Sequence, residues 1–284
     1  MAFLNLRPRA EQTAQNIPDL KRLAVQTAFH ILHGQNPQRR SGSGDTFWQF
    51  REYSTGDMPR DIDWRQSAKT ERIYIRQKEQ HTAQSCLFWL KQNADMAFQS
   101  EGVPYSKKDN GAVLALSLAL LHSRMGEMIG FAGRQRPGHS EKTLGELEQL
   151  LMQEKQDALP ASLEIPKHSA FYAISDFLEP PEEIESAFAP LAARTRSGWF
   201  IHVLDPAELE LPYQGRIIFE DTNGANRHLV NNAVDIRADY QQRVDDHVKT
   251  VQALCTKWGW HYILHVSGRP FEDTALKIWL ENAS

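Results

Sequence analysis

The chain has 284 residues, 41% apolar and 24% charged, an ordinary globular mixture that argues against disorder and allows one large core or at most two domains. A formal charge of −4 and an isoelectric point near 6.3 exclude a global electrostatic pull towards nucleic acid, leaving only local basic patches. The two cysteines, Cys86 and Cys255, sit among apolar neighbours; a disulfide framework needs more, so free buried thiols are expected.

Residues 1–18 are polar and mixed, a loose arm with no apolar run long enough for a signal-peptide core, and cytoplasmic residence is expected. Leu20–Leu32 is predicted as a short helix whose apolar face is Leu23, Phe29, Ile31 and Leu32. The Gly, Ser, Arg and Pro of 34–45 favour a loop. Its Gly42-Ser-Gly44 lacks the Gly-Lys-Ser/Thr that a phosphate cradle requires. Phe47, Trp48, Phe50 and Tyr53 follow. From there to Lys69, acids Glu52, Asp57, Asp61 and Asp63 face Arg51, Arg60, Arg65 and Lys69, a pattern suited to an internal ion-pair lattice. Trp64 and Ile62 are expected to pack this segment onto the main domain. Arg72–Lys78 is predicted as a strand.

From residue 84 strands and helices alternate. Ser85–Leu90 is a continuous apolar run, as in a strand buried on both faces. Asp109–Met125 reads as an apolar helix; its run Ala112–Leu121 is broken by Ser117 and followed by His-Ser-Arg, a buried helix rather than a membrane span. Met128–Ala132 is the next strand, and Leu144, Leu147, Leu150 and Leu151 share one face of a helix opened near Ser140. Ser169–Ile174 is a strand; Pro181 starts a helix with Glu182 and Glu183 at its positive end and Ile184, Phe188 and Leu191 buried. Trp199–Leu204 and Arg216–Phe219 read as strands. Tyr240, Val244, Val248, Val251 and Cys255 mark a long helix, His261–Val266 a strand and Phe271–Leu280 a last helix. The expectation is an α/β domain over 81–284 with a mostly parallel six-stranded sheet, helices on both faces and Ser85–Leu90 central. A loop-rich segment, 1–80, precedes it and packs on it. Ligand-binding loops then belong at the carboxyl ends of the strands.

Read together, three stretches resemble the bacterial domain-of-unknown-function 58 family, whose members are von Willebrand factor A-like (Rossmann-like) and often stand beside MoxR-type AAA+ ATPases. The first is Phe50–Gln80, with Phe50, Arg51, Tyr53, Gly56, Asp57, Arg60, Ile62, Asp63, Trp64 and Ser67. The second is Ile174-Ser-Asp-Phe177; the third is Val203–Asp221, with Asp205, Pro206 and Glu208. The resemblance runs from about residue 35 to the end and carries over no catalytic residue. It implies a non-enzymatic adaptor that works with a MoxR-type ATPase on a client protein, with membrane association at most indirect through partners. Monomer is the default.

Domains of the von Willebrand A type hold Mg²⁺ through Asp-x-Ser-x-Ser after the first strand. At the matching positions stand Lys91, Asn93 and Asp95, and Asp176 matches the acid near the fourth strand. An ammonium has no lone pair to give and repels a divalent cation. Either Lys91 takes the ion's place and pairs with Asp95 or Asp176, or Lys91 points away and the three oxygen-bearing residues hold Mg²⁺ weakly. No bound cofactor is expected.

Enzyme motifs are missing. His261 and His265 lie in a strand pattern, too far apart for one ion, and His168, His228 and His247 have no partner spacing. There is no His-Glu-x-x-His and no Gly-x-Ser-x-Gly. Nucleic-acid binding is the stronger rival, since arginines and aromatics interleave early. Across 36–79, nine Lys and Arg face seven acids, a net of +2, thin for phosphate contacts. A hydrolase using the strand-end cleft is the other alternative. A cluster of acidic or histidine side chains at the strand ends would favour it.

Overall fold

A computed structural model describes residues 19–32, 47–54, 62–69, 72–78, 84–134, 136–153, 159–160, 163–220 and 227–282. The chain divides into two compact units, residues 36–83 and the remainder.

In the smaller unit, β1 (Phe47–Glu52) pairs antiparallel with β2 (Tyr74–Lys78), and α2 (Trp64–Ser67) is one short turn between them. The motif residues here stitch the backbone together. Asp63 caps α2, its carboxylate accepting from Gln66 N at 2.9 Å, while its own N–H donates to Tyr74 O at 2.9 Å. The Ser67 hydroxyl donates to Asp63 O at 2.8 Å and accepts from Tyr74 N at 2.9 Å. Ile62 is half-buried, and Tyr53 is tied by its N–H to Ile73 O. Trp64 opens α2 and is 66% exposed. Of the acids expected in the ion-pair lattice, Glu52 pairs with Arg72, and Asp63 caps α2. Gly56, Asp57, Arg60 and Asp61 lie outside the described residues, as do the side chains of Phe50 and Arg51.

The larger unit is built on a parallel sheet of β3 (Ser85–Leu90), β4 (Met128–Phe131), β5 (Ala170–Ser175), β6 (Ser197–Leu204) and β9 (His261–Val266) in the order β4-β3-β5-β6-β9. Among the described residues the sheet has five strands, not six. The expected strand at 216–219 instead forms an antiparallel pair, β7 (Ile217–Glu220) with β8 (Arg227–Val230). Its residues alternate towards solvent, with Ile218 57% exposed, where a central parallel strand is apolar throughout.

Alternation along the strands sorts side chains onto two faces. On one, Phe88 stacks on Tyr172, which meets His122 of α3 (Lys107–Arg124); His122 in turn meets Trp279 of α8 (Phe271–Asn282). On the other, Trp89, Phe200 and Trp260 surround Phe188 of α5 (Pro181–Ala192). Next to α5 runs α7 (Ala233–Trp258), capped by Asn232 and ended by left-handed Gly259. Leu147 and Leu151 bury α4 (Glu141–Met152). Residues 19–32 form α1, whose Leu20, Ala24, Ala28 and Ile31 join the same core. Of the predicted apolar face, Ile31 is buried, Leu23 and Leu32 pack half-buried against the core, and Phe29 is exposed. No helix of the described residues is long and apolar enough to cross a membrane.

Two glycines set close approaches. A Cβ on Gly198 of β6 would lie 2.1 Å from the Trp260 ring, so the indole lies flat on the strand. A Cβ on Gly111 would lie 2.6 Å from Leu90 Cδ1 and 2.9 Å from Ile174 Cγ2. That contact seats the start of α3 on the carboxyl ends of β3 and β5.

Candidate functional site at the strand ends

Numbered among themselves, the sheet strands run 2-1-3-4-5, an open doubly wound order whose direction of winding reverses between β3 and β5. Loops at such a reversal part and leave a crevice beyond the strand ends. Lys91 follows β3 and Asp176 follows β5, so the two residues singled out from sequence stand on opposite lips of this crevice.

There Lys91 Nζ lies 2.7 Å from Asp176 Oδ1, 2.8 Å from Glu179 Oε1 and 3.9 Å from Asp95 Oδ2. A second ammonium completes the lattice: Lys107, the first residue of α3, reaches Asp176 Oδ2 at 2.8 Å and Glu208 Oε1 at 2.6 Å. Lys91, Lys107 and Asp176 are all buried, at 2%, 1% and 0% exposure. Asn93 donates to Asp95 Oδ2 at 2.7 Å. Asp205, Pro206 and Glu208 form the capped first turn of α6 (Pro206–Glu210). Asp205 Oδ1 accepts from Ala207 N at 2.9 Å and Glu208 Oε2 from Asp205 N at 2.9 Å, so the motif presents Glu208 to Lys107. Asp205 Oδ2 also accepts from Ser100 N at 3.0 Å, tying the loop after β3 to the end of β6.

Local backbone holds Asp176 in place. Phe177 takes a left-handed φ of 41°, rare for a bulky side chain. Its N–H donates to Ser175 Oγ at 3.0 Å and its carbonyl meets His247 Nε2 at 2.6 Å. Its ring stacks on Phe200 at 4.2 Å. The turn throws Asp176 over the strand end while the next ring plugs the core.

Burial alone would raise the Asp176 carboxyl, but Lys107 and Lys91 outweigh it and hold it below the ordinary carboxylate range. Burial likewise opposes the charge on Lys91, and Asp176 and Glu179 overcome it, leaving the ammonium above its ordinary value. Glu208 goes the other way: burial raises it and Lys107 only partly compensates. His202, on β6, is pushed down by burial to about 3 and is a neutral imidazole bonded to the Tyr262 hydroxyl at 2.9 Å.

The residues present do not fit a magnesium ion. The Lys91 ammonium occupies the space between the carboxylates, and Lys107 takes the other oxygen of Asp176. Of the two arrangements open to the sequence, the structure has the one in which Lys91 pairs with Asp176. Isothermal titration with Mg²⁺ is therefore expected to give no dissociation constant tighter than about 100 µM. A tighter value would show that the lysines yield to the cation. Lys107 and Glu179 were missed because neither lies in a motif; a lysine opening a long apolar helix was the one available signal.

Beside the lattice lies a hollow of about 540 Å³, lined by Phe98, Glu208, Leu211, Tyr213, Ile218 and Phe219 among others. Phe98 also lies 5.9 Å from the Lys107 ammonium, so lattice and hollow share a wall.

The family model described as "Protein of unknown function DUF58" matches residues 49–250. Uncharacterized proteins of Mycobacterium bovis and Mycobacterium tuberculosis are 27% identical over 213 residues, 67% of this chain and 65% of theirs. The chain thus matches somewhat under two thirds of the length of these curated relatives. Among solved structures, a conserved hypothetical protein BatB from Bacteroides thetaiotaomicron aligns over 71% of this chain and 100% of its own, at 13% identity and a TM-score of 0.43. An aerotolerance-related membrane protein from Bacteroides fragilis gives the same values.

Proposed function

The chain belongs to the DUF58 family, and we propose that it is a non-enzymatic adaptor of the von Willebrand factor A type, acting in the cytoplasm with a MoxR-type AAA+ ATPase on a client protein. The observation that carries this reading is the strand-end crevice. Doubly wound folds place their ligand chemistry there, yet here lysines neutralise the central carboxylate on both oxygens. Such carboxylates are not free to take a proton or hold a metal for a substrate. What remains for a partner is surface, and the adjoining hollow offers it: Phe98, Tyr213 and Ile218 are exposed apolar side chains gathered in one place. Contiguous apolar surface rimmed by polar groups suits protein docking. The identity of the ATPase partner rests on the family resemblance, and recognition proceeds without a bridging ion.

The test is a titration of the purified chain with a MoxR-type ATPase from the same genome, in ATP and in ADP, beside the Ile218→Asp variant. Saturable binding is expected, weakened at least about tenfold by the variant, which is about 1.4 kcal/mol. Absence of binding in both nucleotides would sink the proposal. Undiminished binding by the variant would move the docking site off this hollow.

A further inference from the structure

We propose that Cys86, His122 and Glu127 form a zinc site at the amino-terminal end of the sheet, at the opposite end of the strands from the lysine–carboxylate lattice. Lys91 lies five residue steps along the chain from Cys86, about 16 Å at the rise of a parallel strand. The two centres are thus physically distinct.

Three elements bring the ligands together. Cys86 is the second residue of β3, and Glu127 immediately precedes β4. The parallel register, with Ser85 opposite Met128 and Cys86 opposite Ile129, sets them side by side. His122 comes from the last turn of α3, on the same face of the sheet as Cys86. One sulfur, one imidazole nitrogen and one carboxylate oxygen all lie within 4.8 Å of one another, the one such group among the described residues. Cys86 Sγ is 3.1 Å from Glu127 Oε2, and His122 Nδ1 meets that same oxygen. Ligands about 2.0–2.3 Å from a tetrahedral zinc ion stand roughly 3.3–3.8 Å apart, so modest side-chain adjustment admits the ion.

The donor set selects the metal. A thiolate with an imidazole and a carboxylate suits borderline zinc and disfavours Mg²⁺ and Ca²⁺, which take oxygen ligands. Thiolate and carboxylate together balance the two positive charges, the Cys86 proton leaving to solvent as the ion enters and the ring proton that His122 Nδ1 shares with Glu127 passing to Nε2, where the Tyr172 hydroxyl oxygen accepts it. The far side of the imidazole is already built as a zinc ligand needs it. His122 Nε2 meets the Tyr172 hydroxyl at 2.7 Å, Tyr172 accepts from Asn282 Nδ2 at 3.0 Å, and Asn282 Oδ1 accepts from Trp199 Nε1 at 3.0 Å. This chain fixes the ring with Nδ1 facing the other two ligands, as outer hydrogen bonds do around metals. Cys86 and His122 are buried while the Glu127 side chain is 29% exposed, so the ion enters, and a water completes its shell, from the Glu127 side.

The experiment uses the full chain, dialysed against Zn²⁺ and then against metal-free buffer, with metal measured by plasma mass spectrometry. About one zinc per chain is expected. Replacement by Co²⁺ should give a sulfur-to-cobalt charge-transfer band in the near ultraviolet, absent in Cys86→Ser. His122→Ala should lose the metal while far-ultraviolet circular dichroism reports its fold. Fewer than roughly one ion per ten wild-type chains, with no cobalt band, would overturn the site and leave a hydrogen-bonded network. Survival of the band in Cys86→Ser would overturn it equally, by assigning the thiolate to Cys255. Should the variants fail to fold, the wild-type stoichiometry and band decide alone.

Discussion

Asp176→Ala is expected to lower the unfolding free energy by about 3–5 kcal/mol, the cost of leaving a buried ion partner unpaired. Two ammonium groups share this carboxylate, one on each oxygen, and none of the three side chains is more than 2% exposed. Removing it leaves Lys91 to Glu179 and Lys107 to Glu208, while the two cations face each other across an emptied crevice. Lys91→Ala should cost less, because Asp176 keeps Lys107. The pH dependence has a definite sign. The folded Asp176 pKa is depressed, so its contribution is fully present above the unfolded value of about 3.9 and is lost as pH falls through the folded value. Urea titrations across acid pH should therefore show a stability loss in the wild type that Asp176→Ala does not share. A penalty below about 1 kcal/mol, the worth of an exposed pair, would mean that water reaches the lattice.

The fold was legible where one physical signal dominated. Cys86–Leu90 is apolar at every position because it is covered on both faces, and Ser140 and Pro181 mark helix starts because the backbone there needs a cap or a fixed φ. The stretch 216–219 misled because a short apolar run states strand without stating which sheet. Its neighbour β8 is exposed at three of four positions and left little apolar pattern to read. In the smaller unit it is Asp63 and Ser67 that hold the turn, through backbone bonds.

At the site, the pairing of Lys91 with Asp176 was readable. Lys107 was not, because its role depends on Gly111 seating α3 against Leu90 and Ile174, a contact between residues distant in sequence. Cys86, His122 and Glu127 were invisible for the same reason. Cys86 lies 41 residues from Glu127, in no ligand spacing, and only the β3–β4 register makes them neighbours.

Phe188→Ala should lower stability by a further class of effect, about 3–5 kcal/mol from lost transfer energy and an unfilled cavity. The ring is wholly buried on α5 and lies 4.8 Å from Phe200, 5.6 Å from Trp89, 5.9 Å from Phe177 and 6.4 Å from Trp260. Those neighbours come from β6, β3, the turn after β5 and the residue before β9, so a single side chain bears on three strands and the site turn. Four rings crossing at steep angles cannot collapse onto an alanine without breaking their edge-to-face contacts. Phe188→Leu should cost much less by keeping most of the volume. The coupling to the crevice runs through Phe177, which is held at its left-handed φ by the same cluster and sits next to Asp176. Loosening Phe177 should free Asp176 from its lysines, so the alanine variant should also unfold at a higher pH during acid titration. Measuring both the urea midpoint and the acid midpoint separates the effects. A large loss in urea with an unchanged acid midpoint would show that the aromatic cluster supports the sheet but does not position Asp176.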